Sequence, residues 1–148
     1  MDDLQKMLIE RACERLVTEY CHFVDHGAAA KIADQFAEDG VWVSGKIVRS
    51  GRAEIAAAFN QRQGNAARIS RHVCCNLLVD VIDEDNAAGV VYVTLYRHDG
   101  EIGRRTAPSD IPEIVGEYRD RFVRMAEGWR FRRREVGVSF VRQREKAG

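Results

Sequence analysis

The hydrophobic pattern of this chain changes its period once, and that change limits the fold more than any other feature. Side chains from Ile69 to Ile82 alternate with a period of two, which is typical of a long β-strand. Strand-like patterns follow over Gly89–Arg97, Gly116–Met125 and Trp129–Phe140, and Glu127-Gly128 predicts a hairpin between the last two. The second half therefore predicts a sheet of long, mainly antiparallel strands.

The first half has the helical period instead. A stripe of apolar side chains at spacings of three and four runs from Leu4 to Val24, and Gly27 supplies a stop signal. Shorter helices are predicted over Ala28–Ala37 and Gly51–Arg62, with a short strand at Val41–Val43. Helices followed by strands predict the α+β class, in which a curved sheet wraps around the first helix and leaves a pocket at one open end.

The composition of the chain argues against several classes of function. The 148 residues correspond to one domain, 1–148, and 23 basic side chains balance 23 acidic ones. No overall field would recruit nucleic acid or an acidic membrane, and the arginines after Gly116 alternate with acids. The chain opens with an acidic segment and lacks a long apolar run, so we expect a cytoplasmic protein without a membrane span. Its four cysteines form no C-x-x-C pair and are expected to be reduced apolar fillers.

One carboxylate stands at an unfavourable position. Asp25 lies in the last turn of the first predicted helix, where exposed carbonyl groups disfavour negative charge. His72 shares its predicted strand face with Ser70, Cys74, Asn76 and Leu78. If that face looks toward the helix end, Asp25 can accept a hydrogen bond from one ring nitrogen of His72 and leave the other free as a base. The alternative is an exposed Asp25 and a half-buried His72 bonded to a backbone carbonyl.

The order of several motifs resembles that of a known family. After Tyr20 and Asp25 the chain reads FAEDGVW, GRAEI, RHVCCN and finally GEYRDRFVRMAEGWRF. In this order it resembles the SnoaL-like branch of the nuclear transport factor 2-like superfamily, from about Ile9 to Phe140. The resemblance implies a cone-shaped α+β barrel. Members include scytalone dehydratase, bile acid 7α-dehydratase, hexachlorocyclohexane dehydrochlorinase and polyketide cyclases, together with non-catalytic proteins.

The resemblance also implies roles for individual residues. In the eliminating members an Asp at the end of the first helix orients a strand His that removes a proton, and these roles fall on Asp25 and His72. Tyr20 matches a tyrosine near the substrate oxygen, where its phenol can donate a hydrogen bond; a core tyrosine is the alternative. The expected reaction is a cofactor-independent elimination or isomerisation of a small, mainly apolar hydroxy or carbonyl compound, with neither a metal nor an organic cofactor.

Three further residues are predicted to contact the substrate. The family places an arginine shortly after the last tryptophan, and Arg134 is the best match, although Arg132 and Arg133 remain open because a bulge can shift the strand phase. Such an arginine can hold a carboxylate or stabilise a departing group. Asn76 is a loose match to a polar substrate contact, and Trp42 closes the FAEDGVW motif.

Other readings compete with catalysis. His22 and His26 have the spacing of two metal ligands on a helix face, but the stop signal follows at once and no H-E-x-x-H motif is present. A non-catalytic role is the stronger rival, either ligand carriage or assembly like that of the small subunits of ring-hydroxylating dioxygenases. The opposite face of the first long strand is strongly apolar, comprising Val73, Cys75, Leu77, Val79 and Val81. We therefore expect a homo-oligomer, a dimer or a trimer, formed through that face.

Overall fold

Six strands form one sheet in the computed structural model, which describes residues 1–145. The last three residues of the predicted domain lie outside this range. The strands are β1 (Phe36–Ser44), β2 (Ile47–Ser50), β3 (Arg68–Val81), β4 (Asn86–Asp99), β5 (Ile114–Met125) and β6 (Gly128–Val141). Their order across the sheet is β2-β1-β6-β5-β4-β3, with β1 and β6 parallel and the other neighbours antiparallel. The sheet curves without closing, so β2 and β3 are its edges.

The helices cover one face of this sheet. They are α1 (Asp3–Asp25), a 3-10 helix (Ala29–Gln35) and α2 (Arg52–Gly64). A capping box starts α1, because the side chain of Asp2 accepts from the amide of Gln5 while the Gln5 side chain accepts from the amide of Asp2. Helix α1 packs mainly against β3 and buries most of the apolar stripe predicted from the sequence, although Leu4 at its start is exposed. Within residues 1–145, none of the helices combines the length and apolar character needed to span a membrane.

The predicted α+β architecture is confirmed, with differences at the edges. The second helix is a 3-10 helix rather than an α-helix, and β1 begins at Phe36, five residues before the predicted strand. Strand β2 was missed because its four residues are all exposed and carry no alternation. The hairpin between β5 and β6 is present, and Gly128 adopts φ 119°, which glycine tolerates.

A bulge in β3 overturns the predicted faces of that strand. Pairing with β4 shifts between Cys75 and Leu78, and Asn76 adopts a left-handed φ of 56°. Beyond the bulge the alternation is reversed, so Leu77 packs against the core and Leu78 is 72% exposed. Val79 and Val81 likewise pack inward. The predicted five-residue apolar outer face is therefore wrong for its last three members.

Candidate active site

The predicted contact between the end of the first helix and the middle of β3 is present. Asp25 is the last residue of α1, and His72 lies in β3. Nδ1 of His72 lies 2.7 Å from Oδ1 of Asp25, and the backbone amide of His72 donates to Oδ2, also over 2.7 Å. One carboxylate therefore holds both the ring and the backbone of the same histidine.

Two residues that the sequence analysis did not assign to the site extend this contact. The hydroxyl of Ser70 donates to Oδ1 of Asp25 over 2.7 Å, and Nη2 of Arg62 donates to Ser70 Oγ over 3.0 Å. Burial alone would raise the pKa of Asp25, but hydrogen bonds from the His72 ring, the His72 amide and Ser70 outweigh burial and lower it. Asp25 is therefore ionised, and donors from β3 offset its unfavourable position at the end of α1.

An ionised Asp25 determines which nitrogen of His72 carries the proton. A carboxylate only accepts hydrogen bonds, so in the neutral imidazole the proton lies on Nδ1 and points at Asp25. The lone pair then lies on Nε2, which forms no hydrogen bond within residues 1–145. This is the tautomer that a general base needs, with its acceptor nitrogen unoccupied.

The Asp25–His72 pair is largely buried but keeps a small exposed surface. The side chain of His72 is 12% exposed and that of Asp25 is 5% exposed. Leu95 pairs with His72 across the sheet, and both it and the neighbouring Val93 are buried, so the wall beside the imidazole is apolar. The larger surface clefts lie elsewhere, for example the cleft of about 660 Å³ between the 3-10 helix and α2. Neither Asp25 nor His72 lines any of these clefts.

Tyr20 and Trp42, two further predicted site residues, lie next to each other in the hydrophobic core. Nε1 of Trp42 donates to the hydroxyl of Tyr20 over 3.2 Å. The Tyr20 ring is buried against Phe59, Tyr118 and Phe131. Burial raises the pKa of Tyr20 to about 12, so the phenol keeps its proton at neutral pH. Tyr20 is therefore the core tyrosine of the second alternative, and its hydrogen bond to a substrate oxygen stays a prediction.

Arg134 is the inward-facing member of its arginine run, as predicted, but it is bound to protein groups. Its Nε and Nη2 donate to the carboxylate of Asp120 over 2.8 and 3.0 Å, and neither side chain is exposed. The guanidinium also lies 4.3 Å from the ring centre of Tyr20 and 3.9 Å from that of Tyr118. Its Nη1 has no partner within residues 1–145. The position favours a structural role over direct contact with a substrate.

The other residues that were predicted to contact the substrate are exposed on the surface. Arg132 and Arg133 are exposed and pair with Asp39 and Glu135. Asn76 is exposed at the β3 bulge, because the extra residue removes it from the face that carries His72. The expectation that Asn76 shares that face is wrong.

The possible metal ligands do not form a centre. The rings of His22, in the last turn of α1, and His26, the residue that follows the helix, stack with their centres 5.6 Å apart. Among residues 1–145 there is no group of three or more His, Cys, Asp or Glu side chains placed to hold a metal ion. The arrangement around His72 is instead a hydrogen-bonded acid–base pair.

Comparison with known proteins identifies the family of this chain. The family model of the SnoaL-like domain matches residues 5–135. The chain therefore belongs to the SnoaL-like family, and the resemblance to that family seen in the sequence is confirmed. No curated protein has a significantly similar sequence.

Solved structures show the same fold. A provisionally assigned scytalone dehydratase from Novosphingobium aromaticivorans has 21% identity and a TM-score of 0.80, covering 96% of this chain and 91% of that one. An NTF2-like protein with a cystatin-like fold from the same organism has 24% identity and a TM-score of 0.77, covering 92% and 85%. Hexachlorocyclohexane dehydrochlorinase LinA-type3 from Novosphingobium barchaimii has 18% identity and a TM-score of 0.76, covering 95% and 93%. At these identities the likeness establishes the fold.

Proposed function

We propose that this protein is a cofactor-independent lyase of the dehydratase type, or an isomerase, that acts on a small, mainly apolar hydroxy or carbonyl compound. The observation that carries the proposal is the Nδ1–Oδ1 contact of 2.7 Å between His72 and Asp25, with Nε2 unbonded among the residues that the structure describes. The names of two structural neighbours, a dehydratase and a dehydrochlorinase, support elimination as the reaction type. We expect the enzyme to work in the cytoplasm, where its four free thiols are reduced unless an oxidant is present.

In this mechanism neutral His72 removes a proton from a carbon that a neighbouring carbonyl or leaving group has made acidic. Asp25 holds the tautomer and stabilises the imidazolium that forms. Tyr20 donates its phenol proton in a hydrogen bond to the substrate oxygen as negative charge builds there, while Trp42 fixes the phenol through Nε1. In an elimination His72 then returns the proton to the departing hydroxyl. The reaction needs no metal and no organic cofactor.

A substrate screen tests the proposal. Purified protein is incubated with hydroxy-ketones, phenolic polyketide-like compounds and steroid-like enones, and products are detected by mass spectrometry. We expect one class to lose water or to isomerise, with turnover abolished in His72→Ala and kept in His98→Ala, a histidine outside the site. Equal turnover by wild type and His72→Ala would exclude His72 as the base.

Assembly through the outer face of the sheet is the accompanying proposal. After correction for the bulge this face still exposes large apolar side chains, namely Val73, Leu78, Tyr92 and Tyr96. We propose a homo-oligomer, a dimer or a trimer, that buries them. Sedimentation of wild type and Leu78→Glu checks this proposal. We expect the wild type to be an oligomer and Leu78→Glu to be a monomer, and a monomeric wild type would contradict assembly through this face. A non-catalytic carrier or assembly subunit predicts the oligomer without any His72-dependent turnover.

A further inference from the structure

Two of the four cysteines, expected to be separate fillers, meet next to the Asp25–His72 pair. Cys21 of α1 and Cys74 of β3 are 53 residues apart in the chain, yet their Sγ atoms are 3.4 Å apart. A disulfide requires about 2.05 Å between sulfur atoms, so a closing movement of roughly 1.4 Å separates this contact from a bond. The remaining cysteines differ, because Cys13 is fully buried and Cys75 is exposed on the other face of β3.

The two thiols of this pair differ in a way that suits oxidation. Cys74 is half-buried on the face of His72, while Cys21 is buried under it. The hydrogen bond from Cys21 lowers the pKa of Cys74, and the charge of Arg134 acts in the same direction. That same contact, together with burial, raises the pKa of Cys21. Cys74 is thus the thiol that ionises and that a small oxidant can reach, with Cys21 in contact as the resolving thiol.

We propose that Cys21 and Cys74 are a modification site, oxidised by hydrogen peroxide to a reversible intramolecular disulfide. The Cys74 thiolate attacks one peroxide oxygen, the O–O bond breaks, and the departing oxygen takes up a proton and leaves as water. Cys21 then attacks the sulfur of the resulting sulfenic acid. The S–S bond forms as the S–O bond breaks, and a second water leaves. Two thiols lose two electrons, and one peroxide is reduced to two waters.

The bond would tether the two elements that build the candidate active site. Cys21 lies one helical turn before Asp25, and Cys74 lies two residues after His72 on the same face of β3. Closing a loop of 53 residues restricts the unfolded chain, so the oxidised protein should melt about 10 °C higher than the reduced protein. Oxidation therefore changes how firmly α1 and β3 hold the acid–base pair.

Peptide mapping of the full-length reduced protein tests this directly. The protein is treated with hydrogen peroxide, free thiols are blocked with N-ethylmaleimide, and tryptic peptides are analysed by mass spectrometry with and without dithiothreitol. No lysine or arginine separates Cys74 from Cys75, so the Cys75→Ser variant identifies the partner of Cys21. We expect Cys75→Ser to keep the cross-linked peptide, and Cys21→Ser and Cys74→Ser to lose it.

Each possible result of the peptide mapping either supports or overturns the proposal. A cross-link within one chain that dithiothreitol removes supports the proposal, and its detection does not depend on any enzymatic substrate. Peroxide treatment that leaves both Cys21 and Cys74 free for alkylation would overturn it. So would accumulation of Cys74 sulfinic acid beside a free Cys21 in the wild-type protein, or cross-links found only between chains.

Discussion

Two carboxylates of this protein hold a basic side chain at nearly the same distance, yet they do different things. Asp25 contacts His72 at 2.7 Å, and Asp120 contacts Arg134 at 2.8 and 3.0 Å. The Asp120–Arg134 pair is completely buried, whereas the His72 side chain keeps 12% of its surface exposed. An arginine does not release its proton in a protein, but an imidazole does. Of the two pairs, the one that includes His72 can do acid–base chemistry, and the other can only hold the fold together.

This difference shows that the chemistry open to a pair depends on its side chains and their exposure, and not on the hydrogen-bond distance alone. Three donors keep Asp25 ionised, the carboxylate in turn fixes one tautomer of His72, and Nε2 has no partner among residues 1–145. Around Arg134, two aromatic rings and a bidentate carboxylate fix the cation between α1, β5 and β6. Experiments that disturb each pair should therefore affect different properties of the protein.

The largest expected effect is the loss of activity in Asp25→Asn. The asparagine amide cannot accept from the His72 ring, the His72 amide and Ser70 in the way that a carboxylate does, so Nδ1–H is no longer held and the imidazolium is not stabilised. We expect kcat on a substrate found by the screen to fall about 10²- to 10⁴-fold while the folded structure is kept. Asp80→Asn, on the exposed face of the same strand, is the matched control and should retain full activity. Full activity of Asp25→Asn would make the pair structural.

The second effect is on stability and concerns the other pair. Arg134→Met leaves Asp120 as a buried charge without its partner, which typically costs about 3–5 kcal/mol in the free energy of unfolding. The double variant Asp120→Leu/Arg134→Met removes both charges and should recover most of that loss. Arg132→Met breaks an exposed pair with Asp39 and should change the unfolding free energy by less than about 1 kcal/mol. Urea denaturation measures all three, and equal midpoints for wild type and Arg134→Met would refute the assignment.

The smallest effect is the acid dependence of stability contributed by Asp25. Its pKa is lowered in the folded protein, so on acidification the unfolded chain takes up this proton first. The stabilisation is therefore fully present above the ordinary aspartate pKa of about 4 and is lost as the pH falls through the folded pKa. Unfolding free energies of wild type and Asp25→Asn, measured from neutral to acid pH, should converge as the pH falls. A gap that widens on acidification would show that the pKa is not lowered.

The sequence was informative where the pattern of one helix or one strand determines the position of a residue. The apolar stripe of α1 and the alternation of β3 placed Asp25 and His72 on elements that pack together, and the family resemblance identified the pair. It was misleading at Asn76, where one extra residue reverses the strand faces; an asparagine, which tolerates left-handed φ, was the only local sign.

Contacts between distant residues were harder to foresee. Ser70 stood on the correct strand face, but nothing in the pattern showed that its hydroxyl reaches Asp25 or that Arg62 reaches Ser70. The contact of Cys21 with Cys74 was missed for the same reason, because it depends on how α1 is placed on β3. Such side-chain pairs follow from packing and not from spacing along the chain.

The most direct test of the central claim is the protonation state of the His72 ring, read from nitrogen-15 NMR at alkaline pH, where free histidines are neutral. We expect His72 to show a proton on Nδ1 and a bare Nε2, and His72 in Asp25→Asn to lose this preference. The exposed His22 and His26 serve as references in the same spectrum. A proton on Nε2 of His72 in the wild-type protein, or the mixed tautomers of a free imidazole, would contradict the account.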